Sequence, residues 1–151
     1  MSAGDMVAMI NGHLGGFANT IGLRFTDASP DQVAAELEID ERHLQPYGLV
    51  HGGVLAGMVE TLCSVGAAIN VLDEGKNTVG LENSTSFLRA VRAGVLHGAA
   101  RPEHRGRRSQ VWSAEIRDDR GRLVATGRVR LLVLETGASA AGSEVRLEPS
   151  P

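Results

Sequence analysis

The chain has 151 residues, enough for one domain with a substantial core and too few for two of ordinary size. Apolar residues make up 42% and charged residues 22%, the balance of a soluble globular domain, while only 3% are aromatic, so the core must be built from Val, Leu, Ile and Ala. The net charge of −3 excludes a polycation, yet residues 101–130 hold nine Arg against four acidic residues, which leaves that stretch at about +5 and the remainder at about −8. Such a patch suits a small polyanionic ligand. Nucleic acid is not expected, because no helical or aromatic recognition element accompanies the basic residues. The single cysteine, Cys63, cannot form an intramolecular disulfide, which fits a reducing compartment and a cytoplasmic location. The first residues carry Asp5 and neither a basic n-region nor a long apolar h-region, so no signal peptide is expected.

In chain order, Met6, Met9, Ile10, Leu14 and Phe17 recur at three- and four-residue spacing and predict an amphipathic helix over 5–18. Residues 21–28 read as a strand, Ser29-Pro30-Asp31 as a turn, and 32–40 as a second strand. In that second strand Val33, Ala35, Leu37 and Ile39 alternate with Ala34, Glu36, Glu38 and Asp40, so one face is core and one is solvent. A loop over 41–53 ends in Gly52-Gly53 and feeds a helix from 54 to about 72. That helix is apolar on nearly every face, which predicts burial on all sides. Four strands follow, at 78–90 with a bend at Gly80 or Asn83, then 94–103, 109–117 and 123–134. Residues after 136 are Gly, Ala, Ser and Glu with little to bury, and are expected to be disordered.

The stretch 45–72 carries an anomaly. Glu60 is the one formal charge in about nineteen nearly uncharged helical residues, and a carboxylate there costs several kcal/mol unless it is paired, hydrated or used. The run has the length of a membrane span, but Glu60, Thr61, Ser64 and Asn70 interrupt it and its flanks lack aromatic anchors and Lys/Arg clusters. No membrane span is expected. Ser64 lies one turn beyond Glu60 on the same face, and with Gly53 and Gly57 they form a stripe of small or polar side chains. Gly52 and Gly53 stand where backbone N–H groups are unpaired and the helix dipole is positive, a place that can hold a developing oxyanion. Cys63 has no His at nucleophile spacing and reads as core, and the five His show no metal-ligand spacing, so no metal and no cofactor are expected.

The run Gln45-Pro46-Tyr47-Gly48-Leu49-Val50-His51-Gly52-Gly53, followed by Glu60 and Ser64, resembles the signature of hotdog-fold acyl-CoA thioesterases, in particular the PaaI-like and 4-hydroxybenzoyl-CoA thioesterase group. The resemblance continues through Val79-Gly80-Leu81-Glu82-Asn83, Phe87-Leu88-Arg89 and 102–108 into Gln110-Val111-Trp112, and covers about residues 20–135. It implies an α+β hotdog fold, a long central helix wrapped by a curved antiparallel sheet of five to six strands. Residues 1–18 would be a helical segment of the same domain, 19–135 the hotdog domain and 136–151 the tail. It further implies hydrolysis of a coenzyme A ester with an aromatic or medium-chain acyl group. Glu60 would be nucleophile or general base, and the Gly52 N–H and Gln45 amide the oxyanion donors. Ser64 would position water or the carboxylate, while His51 orients the loop or acts near the thioester. Gly53, Asn83 and Phe87 would meet the substrate, with the acyl group also against Met58 and the 47–50 loop. Arg89, Arg105, Arg107 and Arg108 with Ser109 would hold the phosphates. In the family Glu60 of one subunit faces Gln45 and Gly52 of the other, so a homodimer is implied, and a dimer-of-dimers tetramer beyond it. Two other readings stay open: a hotdog acyl-CoA hydratase or dehydratase pairing His51 with Glu60, and a non-catalytic acyl-CoA-binding module.

Overall fold

The computed structural model describes residues 2–147, and its centre is one helix laid on one sheet. Two short helices, α1 (Ala3–Asn11) and α2 (Gly15–Ile21), precede the hairpin β1 (Arg24–Ser29) and β2 (Gln32–Glu38). The long helix α3 (Gly52–Ile69) follows, then β3 (Asn77–Phe87), β4 (Val95–Arg105), β5 (Ser109–Arg117) and β6 (Leu123–Leu134). The six strands form one antiparallel sheet in the order β1-β2-β4-β5-β6-β3, and α3 packs against all six. α3 is long and apolar enough to cross a membrane by length and composition, but here its apolar face is the core of the sheet. Leu55, Met58, Val59, Leu62, Cys63 and Ala67 are buried against Leu37, Leu96, Trp112, Ile116, Val129 and Leu131. Burying such side chains contributes roughly 1.5–3 kcal/mol each, so this layer dominates stability.

Three local expectations are corrected. The helix expected over 5–18 is two helices, because Gly12 ends the first and Gly15 turns into the second with φ +72°, a conformation that favours glycine. The strand expected from residue 21 begins at Arg24, because Ile21 closes α2 and Gly22 caps it in the left-handed region. α3 is buried on its sheet side only: Gly57, Glu60, Thr61, Ser64, Val65 and Ala68 are half-buried and Gly53 is exposed. Apolar residues on every face therefore mark a helix with a second surface that one protomer leaves partly open.

Beyond residue 136, where the sequence shows little to bury, the chain makes a hairpin of β7 (Ser139–Ala140) and β8 (Ser143–Glu144). Hydrogen bonds rather than burial tie it down: the Thr136 hydroxyl donates to Gly75 O (2.9 Å) and the Asn77 amide to Val145 O (2.8 Å). Residues 148–151 of the expected tail lie outside the described residues.

The two sheet edges differ. The β1 edge is tended by α1, whose Asn11 side chain donates to Phe25 O (3.0 Å) and accepts from Phe25 N (2.9 Å). The outer edge of β3 pairs with no strand among the described residues, and β3 has no fully buried residue.

Candidate active site

The start of α3 is shaped by the 45–51 loop. Gly48 N–H donates to Gln45 O and Gln45 N–H to Leu49 O (both 2.8 Å), Gly48 turns at φ +72°, and Arg92 clamps the loop through Tyr47 O (2.7 Å). His51 is the N-cap of α3, with its Nδ1 accepting the Gly53 N–H at 2.8 Å. That bond places the proton of a neutral imidazole on Nε2 and gives the residue a definite structural task. It also sorts the two glycine amides. The Gly53 N–H is consumed by the cap, whereas the Gly52 N–H has no acceptor among the described residues. It stands at the positive end of the α3 dipole.

Gly52 faces a cleft of about 330 Å³ that it shares with Gln45, Leu49, Leu55, Phe87 and Arg89. The Phe87 ring lies against Gly52, where a β-carbon would come within 2.6 Å of its Cε2, so only glycine leaves the ring this close. The Gln45 side-chain Oε1 accepts from Tyr47 N–H, and its amide NH₂ has no acceptor among the described residues. Two donors, one backbone and one side-chain, thus line a single cleft.

Glu60 lies eight residues further along α3, about 12 Å down the helix axis. Its carboxylate makes no ion pair among the described residues, and neutral donors hold it: Asn83 Nδ2 donates to Oε2 at 2.9 Å and the Ser64 hydroxyl reaches Oε1 at 3.5 Å. Thr61, which could have capped it, instead donates to Gly57 O (2.9 Å). Asn83 is itself fixed, because its Oδ1 accepts from Thr85 Oγ1 (2.6 Å) and its Nδ2 also donates to Ala56 O (3.1 Å). β3 makes room for the carboxylate at Gly80, where a side chain would strike Oε1, and the strand register slips between Gly80 and Glu82. The bend expected at Gly80 or Asn83 is this bulge.

Sequence reasoning brought Glu60, Ser64, Gln45 and Gly52 forward but missed how Glu60 is held. Asn83 touches the carboxylate, and Thr85 and Gly80 complete its seat. The signal for them is the polar run 82–86 on a strand that follows an apolar helix. Met58 is fully buried beneath the sheet and cannot line a ligand site. Cys63 is also fully buried, and burial, reinforced by the nearby Glu60 carboxylate, pushes its thiol up to about 12, which removes it as a nucleophile. No metal-binding cluster of His, Cys, Asp and Glu occurs among the described residues.

The basic residues separate. Arg89 lines the Gly52 cleft. Arg105 lies at the other end of α3, paired with Asp31 (2.9 Å) and donating to Pro30 O and Asn70 Oδ1 (both 3.1 Å). Arg107 borders, together with Arg105, a cleft of about 360 Å³ that Asn70, Lys76 and Gly106 also line. Ser109 opens β5 and its carbonyl accepts from Gly106 N–H (2.9 Å), while the Arg108 guanidinium has no partner among the described residues. One protomer therefore does not gather these groups around Glu60.

Residues 47–125, more than half of the chain, match the thioesterase superfamily. The chain belongs to that family. It is 36% identical over 127 residues to 1,4-dihydroxy-2-naphthoyl-CoA hydrolase of Escherichia coli K12, covering 84% of this chain and 90% of the relative. It is 37% identical over 121 residues to the proofreading thioesterase EntH of Cronobacter turicensis, covering 80% and 88%. A solved thioesterase of Haemophilus influenzae superposes with a TM-score of 0.79 at 30% identity, covering 89% of this chain and 92% of that one. The six-stranded sheet around a central helix is the hotdog fold, and the chain is a thioester hydrolase.

Proposed function

We propose that the chain hydrolyses a coenzyme A thioester with an aromatic or medium-chain acyl group, in the cytoplasm, at a site shared by two subunits. The observation that carries the reading is the Glu60 carboxylate, held by Asn83 and Ser64 without a cation on the open side of an otherwise apolar helix. A base in that setting can take a proton from water, and the water oxygen then adds to the thioester carbonyl. The same carboxylate can instead attack the carbonyl itself, giving an anhydride that water opens. In either route the oxyanion is held by the Gly52 N–H and the Gln45 amide, and its collapse expels the CoA thiolate. A thiolate leaves near an ordinary thiol pKa and needs little help from an acid, so His51 serves as the cap of α3 rather than as the proton donor.

The separation of these parts supports a homodimer. The open β3 edge, with Leu81 and Phe87 half exposed beside it, is the edge that continues into a second copy. An isologous contact there sets two α3 helices antiparallel, and the Gly52 cleft of one subunit approaches Glu60 of the other. Dimers then pair into a tetramer. The CoA phosphates fall to Arg89, Arg105, Arg107 and Arg108, with Arg105 exchanging a solvent-exposed pairing with Asp31 for the phosphate. The CoA ester is favoured because the E. coli relative is a hydrolase of an aromatic CoA ester by name.

The test is free-thiol release from benzoyl-, hexanoyl-, decanoyl- and palmitoyl-CoA and from an acyl-carrier-protein thioester. Turnover of a CoA ester is expected. Hydration of crotonyl-CoA without thiol release would replace the proposal with the hydratase reading, and binding without turnover with the binding-module reading. A further expectation concerns Asn83. Asn83→Ala removes a hydrogen bond to a charged group, a contribution of about 1.5–3 kcal/mol. In steady-state assays it is expected to lower kcat ten- to a hundredfold while KM changes little.

A further inference from the structure

The Gln45 amide can donate to an oxyanion only with its NH₂ toward the Gly52 cleft, and the groups that aim it lie outside that cleft. Its Oε1 accepts the Tyr47 N–H, which leaves the nitrogen end for the cleft. A flipped amide would present an oxygen to the oxyanion instead. The aim of Gln45 therefore rests on the Tyr47 backbone, within the turn Gln45-Pro46-Tyr47-Gly48. Pro46 and Tyr47 are exposed, Tyr47 by 80%, so apolar packing does not hold this turn. Hydrogen bonds do, and Arg92 makes the ones that reach the turn from outside the loop. Its Nη1 donates to Tyr47 O (2.7 Å) and to Gly48 O (3.2 Å). The Tyr47–Gly48 peptide is thereby fixed at both ends, its oxygen on Arg92 and its N–H on Gln45 O (2.8 Å). Gly48 turns at φ +72°, and a β-carbon there would stand 3.0 Å from Arg92 Nη1, so the close approach needs glycine. No carboxylate pairs with Arg92 among the described residues, and these two carbonyls are its hydrogen-bond partners. The preceding residue completes the grip, since Val91 O accepts the Val50 N–H (2.8 Å) two residues before Gly52.

We infer that Arg92 is a positioning residue for thioester hydrolysis, fixing the Tyr47–Gly48 peptide so that Gln45 presents its NH₂ to the oxyanion. The inference rests on the proposed role of Gln45 as an oxyanion donor. Arg92 does not line the Gly52 cleft, so its effect passes through Gln45. Without the clamp the peptide is free to rotate, the Tyr47 N–H leaves Oε1, and the amide takes both orientations. Removing an oxyanion donor outright costs about 10²- to 10³-fold in kcat, and losing only its aim costs part of that. An exposed side chain away from a core or a cap ordinarily changes stability little, so a large loss of turnover at Arg92 separates positioning from packing.

The experiment is a double-mutant cycle on the full chain. Thiol release is followed with whichever of benzoyl-, hexanoyl-, decanoyl- and palmitoyl-CoA or the acyl-carrier-protein thioester the wild type turns over fastest. Arg92→Ala is expected to lower kcat at least about tenfold with KM nearly unchanged. Arg92→Lys, which still reaches one carbonyl, recovers most of that loss. In the Gln45→Ala background, already about 10²- to 10³-fold down, Arg92→Ala lowers kcat by less than about twofold more, because the group it positions is gone. Wild-type kcat in Arg92→Ala, with Gln45→Ala impaired, overturns this inference and leaves the Gln45 role standing. The same loss in both backgrounds shows that Arg92 acts elsewhere and overturns it, as does a raised KM with unchanged kcat, the mark of a substrate contact. Unfolding of Arg92→Ala, read by circular dichroism, makes the residue a structural support and overturns it too. Full activity of Gln45→Ala, or a wild type that releases no thiol, overturns both the inference and the reading beneath it.

Discussion

Glu60→Gln is expected to fold as the parent does and to lose about 10²- to 10⁴-fold in kcat, the range a positioned general base supplies. Glutamine keeps the length of the side chain, and its amide oxygen still accepts from Asn83, so the packing of α3 on the sheet is undisturbed. What disappears is the capacity to take a proton or to attack a carbonyl. Because Glu60 makes no ion pair among the described residues, its replacement strands no cation there, and the loss is a measure of chemistry rather than of stability. Circular dichroism and a melting curve matched to wild type, alongside stopped thiol release, are the expected pair of results.

The second large effect belongs to the start of the helix. Proline at position 52 deletes the Gly52 N–H, which has no acceptor among the described residues, at a helix position that tolerates proline, and is expected to cost about 10²- to 10³-fold in kcat. The Phe87 ring complicates the reading, because any β-carbon at residue 52 presses on it. Gly52→Ala, which keeps the N–H and meets the same ring, is the control, and both substitutions are best made with Phe87→Ala. The expected result is a kcat gap of at least tenfold between the proline and alanine proteins in that background. Equal activities would remove the Gly52 amide from the mechanism.

The fold was legible where burial follows a period. The two-residue alternation over Val33, Ala35 and Leu37, and over Trp112, Ala114 and Ile116, is buried residue for residue as the pattern requires. It was illegible where the period runs through a break: the apolar spacing of Met9, Ile10, Leu14 and Phe17 continues across the turn that Gly15 makes between α1 and α2. The 139–144 hairpin left no apolar signal because hydrogen bonds hold it. At the candidate site, Glu60 was visible as a charge in the wrong company. Asn83 was brought forward as a residue that meets the substrate, not as the partner of Glu60, since a sequence does not state which strand residue an α-helix will face. The pairing of Arg105 with Asp31 joins residues far apart in the chain, so the basic cluster at 101–108 read as freer than it is.

The central claim is that catalysis joins Glu60 of one subunit to Gly52 of another, and complementation tests it most directly. Co-expression of Glu60→Gln and Gly52→Pro chains with different tags yields mixed dimers. In a shared, two-fold site each mixed dimer contains one intact and one doubly defective centre. The isolated parents are inactive, and a one-to-one mixture is expected to recover about a quarter of the wild-type thiol release, from half of the sites in half of the dimers. A mixture as inactive as its parents, in which mixed dimers are demonstrably present, would contradict the claim and place the whole reaction within one chain.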